Sequence, residues 1–167
     1  INYDTRANIE SFLKEKEEKG HRTGDARSRY SSVSNASNNW DQFYRRHRTN
    51  FFKDRHYMED EFPELDSFSQ GSKTCNILEA GCGTGQLSIA LSRYNRSVHS
   101  IDLSKGSLTE AKKFIIKNNI KNVQLYRMNI FNLYFPENYF DVIISNGVLH
   151  HTFDAKLAFK ILSKHLK

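Results

Sequence analysis

A glycine-rich turn between an apolar strand and a helix carries the residues best suited to chemistry. The segment Glu79–Gly85 reads Glu-Ala-Gly-Cys-Gly-Thr-Gly, follows the apolar run 75–78 and precedes a helical pattern over 86–91. Glycines at such a junction let the backbone turn tightly and approach a ligand closely. Asp102 ends the next apolar run, nineteen positions after Gly83, the spacing at which a carboxylate can bind a ribose diol. The pattern therefore predicts a site for a nucleoside-containing cofactor.

The acidic residue beside this turn argues against a dinucleotide. A pyrophosphate site usually reads Gly-x-Gly-x-x-Gly, whereas Gln86 stands three positions after Gly83. The carboxylate of Glu79 would repel a pyrophosphate and would suit a cationic ligand. The motif resembles the first motif of the Rossmann-like S-adenosylmethionine-dependent methyltransferases, whose ligand carries a sulfonium and an amino group. A strand–turn–helix junction without any ligand is the alternative interpretation.

The resemblance extends from Thr74 to Lys167 through a predicted βαβαβ–β–α order. Strands are predicted over 75–78, 98–101, 123–126 and 140–146, with helices over 86–91, from a capping-box pattern at Ser107, and from about Asp154. Crossover units of this kind build a parallel sheet with ligands at the carboxyl ends of the strands. We therefore predict an α/β fold. It is a Rossmann-like parallel sheet flanked by helices, C-terminally incomplete, with four of the usual seven strands and an N-terminal helical extension.

The resemblance also implies which residues contact the cofactor. Asp102 would bind the ribose, and Leu103 would flank the adenine. Asn129 and Ile130 would meet the edge of the base. Asn129 stands where the family usually has an acidic residue, and its side-chain oxygen is still an acceptor. The complete predicted cofactor set is Glu79, Gly81, Cys82, Gly83, Gly85, Asp102, Leu103, Asn129, Ile130 and Asn146.

An aromatic and basic block precedes this domain. Aromatic residues and a histidine recur at helical spacing within Trp40–His47, and the segment 51–56 reads Phe-Phe-Lys-Asp-Arg-His. From Trp40 to Leu65 the chain resembles the N-terminal region of eukaryotic tRNA 3-methylcytidine methyltransferases, in which this segment packs over the cofactor pocket and contributes to the RNA-binding face. The resemblance implies tRNA as a partner. The candidate RNA contacts are Trp40, Tyr44, Arg46, Lys53, Arg55 and His56.

The residues that follow the fourth strand indicate a different acceptor. The segment Ser145–Thr152 is closer in character to small-molecule methyltransferases, and Asn146 and His150 are its candidates for the acceptor pocket. No residue is assigned as a catalytic base. Three hypotheses stay open. The chain is a methyltransferase acting on a tRNA base nitrogen such as cytidine N3, a small-molecule methyltransferase, or an incomplete, non-catalytic cofactor-binding module.

Histidine and cysteine spacing gives no support for a metal. His150 and His151 are adjacent, so on an extended segment they would point in opposite directions, and no ligand cluster lies near them in sequence. Cys75 and Cys82 lack metal spacing and are read as reduced, buried thiols. Reduced thiols suit an intracellular and most simply cytoplasmic protein, with a mitochondrial or nuclear address left open. No apolar run is long enough to span a membrane, so we expect no membrane partner.

Composition divides the chain into three parts. Residues 1–39 are polar and predicted to be mostly disordered, 40–70 form a predicted helical lid, and 71–167 form the N-terminal part of the Rossmann-like domain. The net charge is +6, and residues 71–167 hold 13 Lys or Arg against 6 Asp or Glu, a balance that permits a polyanionic partner such as RNA.

The predicted fourth strand would be an open apolar edge of the sheet. Such an edge is a liability, because its unpaired backbone groups can pair with another chain. Either the sequence is a fragment whose missing C-terminal strands cover this edge, or a protein partner covers it. The fragment is the interpretation that we favour.

Overall fold

The computed structural model describes residues 33–47, 75–93 and 96–167. The described elements, in chain order, are α1 (Val33–His47), β1 (Cys75–Ala80), α2 (Gln86–Leu91), β2 (Arg96–Asp102), α3 (Lys105–Lys117), β3 (Val123–Arg127), β4 (Val142–Ile144), a short 3-10 turn (Leu149–His151) and α4 (Ala155–Lys164). The alternation of strands and helices confirms the predicted α/β class. None of the described helices is long and apolar enough to cross a membrane.

The four strands form one parallel sheet in the order β3-β2-β1-β4. Ile77 of β1 is in register with Val98 on one side and with Val142 on the other. From β1 the chain builds outward through β2 and β3, and then returns to place β4 on the opposite side of β1. The carboxyl ends of β1 and β4 therefore flank a point where the strand order reverses, which is where open α/β sheets bind ligands.

Helices cover both faces of the sheet, which explains why its central strands read as continuous apolar runs. Ile77 packs on one face with Leu87 and Ile115, whereas Leu78 packs on the other with Phe140 and Leu162. Both strand residues are fully buried. Successive side chains of a strand point to opposite faces, so a strand covered on both sides needs apolar residues at consecutive positions.

The N-terminal helix begins earlier than the sequence predicts. The described helix α1 starts at Val33, so the expectation of disorder up to residue 39 is wrong for 33–39. Ser and Asn are weak helix formers, but a tertiary contact outweighs this preference. Ser37 is buried, and its hydroxyl donates to the Leu103 carbonyl oxygen at 3.1 Å. The predicted boundary at residue 40 therefore lies inside a helix, and the predicted lid residues 48–70 lie outside the described ranges.

Two other elements, α3 and β4, have boundaries that differ from the predicted ones. Helix α3 is capped by Ser104, whose side chain accepts from the Ser107 N–H at 3.0 Å, so the capping box predicted at Ser107 is wrong. Strand β4 has three residues rather than the predicted 140–146. Just before it, Asp141 contacts Asn76 through both backbone and side chain: its N–H donates to the Asn76 carbonyl oxygen at 2.9 Å, and its carboxylate accepts from the Asn76 N–H at 2.8 Å. The helix predicted from Asp154 is confirmed, since Asp154 caps α4.

A buried histidine lies within an aromatic cluster on β2. The ring of His99 is stacked on Tyr126 at a centroid distance of 5.8 Å and meets Phe135 and Phe140 edge to face. Burial lowers the pKa of His99 below its usual 6.5. The neutral ring is therefore the form that fits the folded protein, because burial disfavours its charged form.

This burial predicts that the protein loses stability on mild acidification. Unfolded His99 would bind a proton near pH 6.5, whereas folded His99 resists protonation. The stability contributed by its neutral form is therefore complete above about pH 6.5 and is lost as the pH falls through the lowered pKa. One such group gives a slope of no more than ~1.4 kcal/mol per pH unit. Urea unfolding between pH 5 and 8 should show a shallower slope for His99→Phe than for the wild type, and equal slopes would contradict the prediction.

Candidate functional site

The glycine-rich turn lies at the carboxyl end of β1 and is fastened to the end of β2. Gly81, Gly83 and Gly85 have φ of +86°, +54° and +79°, a left-handed backbone that favours glycine. The N–H groups of Gly81 and Cys82 both donate to the Ile101 carbonyl oxygen, at 2.8 and 3.0 Å. The turn is therefore held against the strand that ends in Asp102.

Two of these glycines also sit where no side chain would fit. A Cβ on Gly81 would lie 2.4 Å from a methyl group of Val148, in the loop after β4, and 2.9 Å from the Val148 Cβ. A Cβ on Gly85 would lie 2.8 Å from the Ala111 Cβ in α3. The turn is thus in close contact both with the loop that carries the acceptor candidates and with the helix that follows Asp102.

Asp102 joins the glycine turn to the segment that leads into α3. One carboxylate oxygen accepts from the Gly83 N–H and the other from the Ser104 N–H, each at 2.8 Å. Burial raises the pKa of Asp102 above its usual 3.8, although these hydrogen bonds act in the opposite direction. Asp102 thus lies beside the glycine turn, its role as the ribose ligand stays a prediction, and no sequence pattern indicated that backbone N–H groups use both of its oxygens.

A second carboxylate lies directly beneath the turn. Glu79 is buried, and its carboxylate accepts a hydrogen bond from the Ser88 hydroxyl, which in turn accepts from the Ser100 hydroxyl at 2.9 Å. Thr84 is also buried, and its hydroxyl oxygen has no hydrogen-bond partner among the described residues. Two buried carboxylates and a spare hydroxyl around one turn suit a ligand with a cationic group and hydroxyls. They are unfavourable for a pyrophosphate.

The surroundings of the thiol in the turn disfavour its thiolate form. Burial, together with the charges of Glu79 and Asp102, raises the pKa of Cys82 well above its usual 9.0. The thiolate is the reactive form of cysteine, and this environment disfavours it. Cys82 therefore serves in this turn as a small apolar residue.

The residues predicted to meet a base lie beyond β3. The Asn129 side-chain oxygen accepts from the Phe131 N–H at 3.1 Å, which leaves it one further lone pair. The side chain of Ile130 is buried in the core, so a contact between Ile130 and a base would have to use the backbone. Leu103 is half-buried, and its carbonyl oxygen accepts from Arg127 Nε at 3.2 Å.

The loop after β4 places the acceptor candidates next to the turn. The Ser145 hydroxyl donates to the Ala80 carbonyl oxygen at 3.0 Å, which ties the start of this loop to the end of β1. Asn146 is half-buried, whereas His150 is exposed. Within the described ranges no group of three or more His, Cys, Asp or Glu side chains could hold a metal ion.

Helix α1 contacts this loop through its aromatic face. The rings of Trp40 and His151 meet edge to face with centroids 5.4 Å apart, and Trp40 also contacts Phe43 and Tyr44. Partial burial lowers the pKa of His151, and the charge of His150 lowers it further. Among the RNA candidates, Trp40 therefore contacts the acceptor loop, Tyr44 contacts Trp40, and Arg46 is exposed. Lys53, Arg55 and His56 lie outside the described residues.

The comparison with known proteins covers the same domain. Residues 71–167 match the family described as "Methyltransferase domain". The chain is 39% identical over 87 residues to the tRNA N(3)-cytidine methyltransferase METTL6 of Rattus norvegicus, covering 50% of this chain and 30% of that protein. It is 36% identical over 104 residues to the malonyl-[acyl-carrier protein] O-methyltransferase of Bacillus anthracis, covering 61% of this chain and 37% of that protein.

A solved structure shows the same fold. It is that of a putative S-adenosyl-L-methionine-dependent methyltransferase from Methanococcus maripaludis, with a TM-score of 0.56 and 22% identity, and the match covers 89% of this chain and 63% of that one. The matches to the two curated relatives span about a third of the length of those proteins.

Proposed function

The chain belongs to the methyltransferase domain family, and we propose that the whole protein transfers a methyl group from S-adenosylmethionine to a base nitrogen of tRNA, such as cytidine N3. The resemblance to the S-adenosylmethionine-dependent enzymes, and in part to the tRNA 3-methylcytidine enzymes, is confirmed. The observation that carries the tRNA proposal is the contact between Trp40 and His151, which puts an aromatic helix beside the acceptor loop.

The cofactor proposal rests on the residues around the glycine turn. S-adenosylmethionine, when bound, supplies a methyl group activated by a sulfonium. Asp102 would accept from its ribose hydroxyls, and the half-buried Leu103 would flank its adenine. Asn129 would accept from the adenine amino group with its remaining lone pair. The carboxylate of Glu79, buried beneath the turn, makes the surroundings favourable for the positively charged end.

The acceptor proposal requires little acid–base chemistry from the protein. Cytidine N3 carries a lone pair, so the attacking atom needs no prior deprotonation, and the protein mainly has to orient the base. An unpaired base must enter the site, and the exposed face of an aromatic ring is a suitable platform for it. Trp40 or Tyr44 would stack on the base, while Arg46, Lys53, Arg55 and His56 would contact phosphates.

Neutralising Arg46 is expected to weaken the binding of all tRNA sequences alike. A phosphate contact releases about one counterion, so Arg46→Gln should reduce the slope of log affinity against log salt by about one unit. The measurement is the tRNA dissociation constant of the complete protein at several salt concentrations. Lys113→Gln is the matched control, because Lys113 is an exposed cation on α3 that is paired with Glu110. Equal slopes of log affinity against log salt for Arg46→Gln and the wild type would show that Arg46 does not contact tRNA phosphates.

The deciding experiment for the function is methyl transfer to unmodified tRNA by the complete protein, with the product base identified by mass spectrometry. A small-molecule acceptor is the second candidate, favoured by the match to the malonyl-[acyl-carrier protein] enzyme. Transfer to such an acceptor with none to tRNA at low salt would establish this second candidate. Cofactor binding without transfer to either acceptor would favour the non-catalytic module.

A further inference from the structure

Helix α1 holds the segment that follows the proposed ribose carboxylate through two polar side chains, which make three hydrogen bonds to it. One oxygen of Asp41 accepts from the Ser104 hydroxyl at 2.5 Å and from the Gly106 N–H at 2.9 Å. One turn earlier on the same face, the Ser37 hydroxyl donates to the Leu103 carbonyl oxygen. These contacts join elements that are more than 60 residues apart in sequence, and they all fall on residues 103–106.

The same segment also orients the predicted ribose ligand. The Ser104 N–H donates to Asp102 at 2.8 Å, while the Ser104 hydroxyl donates to Asp41 and caps α3 at Ser107. Ser104 therefore stands between the two carboxylates and is fixed by both. Arg127 strengthens the arrangement from β3, because it donates to the Leu103 carbonyl oxygen and to the Ser37 hydroxyl, both at 3.2 Å.

We propose that Asp41 is a positioning residue for the cofactor, which couples the docking of α1 to the geometry of Asp102 and Leu103. The inference rests on the proposed cofactor site. With α1 docked, Ser104 is held where its N–H orients the Asp102 carboxylate. When α1 leaves, Ser104 loses its hydroxyl acceptor, and the N–H of Gly106 loses its cap. Binding of the cofactor should favour docking of α1 to the same extent as docking favours the cofactor, because coupling between two sites is reciprocal.

The test is the binding of S-adenosylhomocysteine to the full chain, measured by titration calorimetry. Asp41→Ala is expected to weaken binding about 5- to 20-fold. Asp41→Asn keeps one oxygen acceptor and should stay within about threefold of the wild type. Asp154→Ala is the matched control. Asp154 also caps a helix, accepting from the Leu157 N–H at 2.9 Å, but that helix is α4 and not the one that follows Asp102. Its loss should lower stability and leave affinity within about twofold.

Hydrogen exchange of α1 supplies the readout that a purely structural role would not move. In the wild type, S-adenosylhomocysteine should slow exchange over residues 36–46, and in Asp41→Ala this protection should be lost. If Asp41→Ala fails to fold, Ser37→Ala tests the same coupling at the neighbouring contact, with a smaller loss of affinity and of protection.

Three results would overturn the proposal. Wild-type affinity in Asp41→Ala would do so, as would exchange of α1 that does not respond to the ligand in the wild type. Both of these would leave the proposed cofactor site standing, because the ligand would still bind. A wild-type protein that does not bind S-adenosylhomocysteine would overturn the cofactor site and the coupling together.

Discussion

Gly81→Ala is expected to lose cofactor binding and to destabilise the domain by ~2–6 kcal/mol. Two costs combine in this figure. An alanine at φ +86° is strained by ~1–3 kcal/mol. Its Cβ would also overlap the Val148 side chain at 2.4 Å, and overpacking of this kind typically costs ~1–3 kcal/mol. Because the Val148 Cβ itself is only 2.9 Å away, rotating the side chain cannot relieve the whole overlap.

Gly147→Ala separates these two costs. Gly147 also has a positive φ, +71°, but a Cβ there meets nothing within 4 Å. It should therefore show the strain of a left-handed alanine without the overlap, and urea unfolding should give a smaller loss than for Gly81→Ala. The double variant Gly81→Ala/Val148→Ala should recover part of the difference. Equal losses in the two single variants would show that the contact with Val148 has no energetic weight.

Asp102→Ala is expected to weaken S-adenosylhomocysteine binding by ~1.5–3 kcal/mol, or about 10- to 150-fold. The carboxylate is the proposed acceptor of the ribose hydroxyls. Its loss would also leave the N–H groups of Gly83 and Ser104 without their acceptor. Titration calorimetry measures the affinity, and urea unfolding measures the stability of the same sample.

Asp141→Ala is the matched control for this experiment. Asp141 likewise accepts from a backbone N–H, that of Asn76 at 2.8 Å, but it lies near the opposite end of β1. Its removal should lower stability and leave affinity unchanged. Unaltered affinity in Asp102→Ala would withdraw the ribose assignment. An equal loss of affinity in both variants would mean that the effect comes from a general disturbance of the sheet and not from a lost contact with the ligand.

The parts of this fold that could be predicted are those with a local pattern. The strand before Glu79 and the helix after Gly85 show in periodicity, and the position of Asp102 follows from its spacing along two adjacent strands. The first turns of α1 had no such pattern, whereas the aromatic spacing over 40–47 did predict the later part of this helix. These first turns are rich in Ser and Asn, which predict no helix, and Ser37 is held there by Leu103 and Arg127, which lie 66 and 90 positions away.

The residues that cap the helices could be predicted from the sequence only in part, because contacts with residues distant in the chain also decide which residue is the cap. Asp154 precedes an amphipathic helix and caps it as expected, because a single candidate stood in the right place. At the start of α3 both Ser104 and Ser107 could act as the cap. Ser104 takes this role, and its N–H and hydroxyl donate to Asp102 and Asp41 respectively. The engagement of Asn129 with Phe131 was likewise hidden, because a side chain that bonds to its own loop leaves no periodic trace.

Strand β1 lies between β2 and β4, so during synthesis it cannot be paired on both edges until β4 has been made. Its edge toward β2 can pair soon after β2 emerges, whereas the hydrogen bond from the Asn76 N–H to the Asp141 carboxylate joins residues that are 65 positions apart. At about 5–20 residues per second, a ribosome needs on the order of 3–13 s to supply that partner. For those seconds one edge of the largely buried strand β1 is unpaired in the nascent chain. We expect a chaperone that shields exposed strands to be needed most in this interval, and to be released once residues 142–144 have emerged.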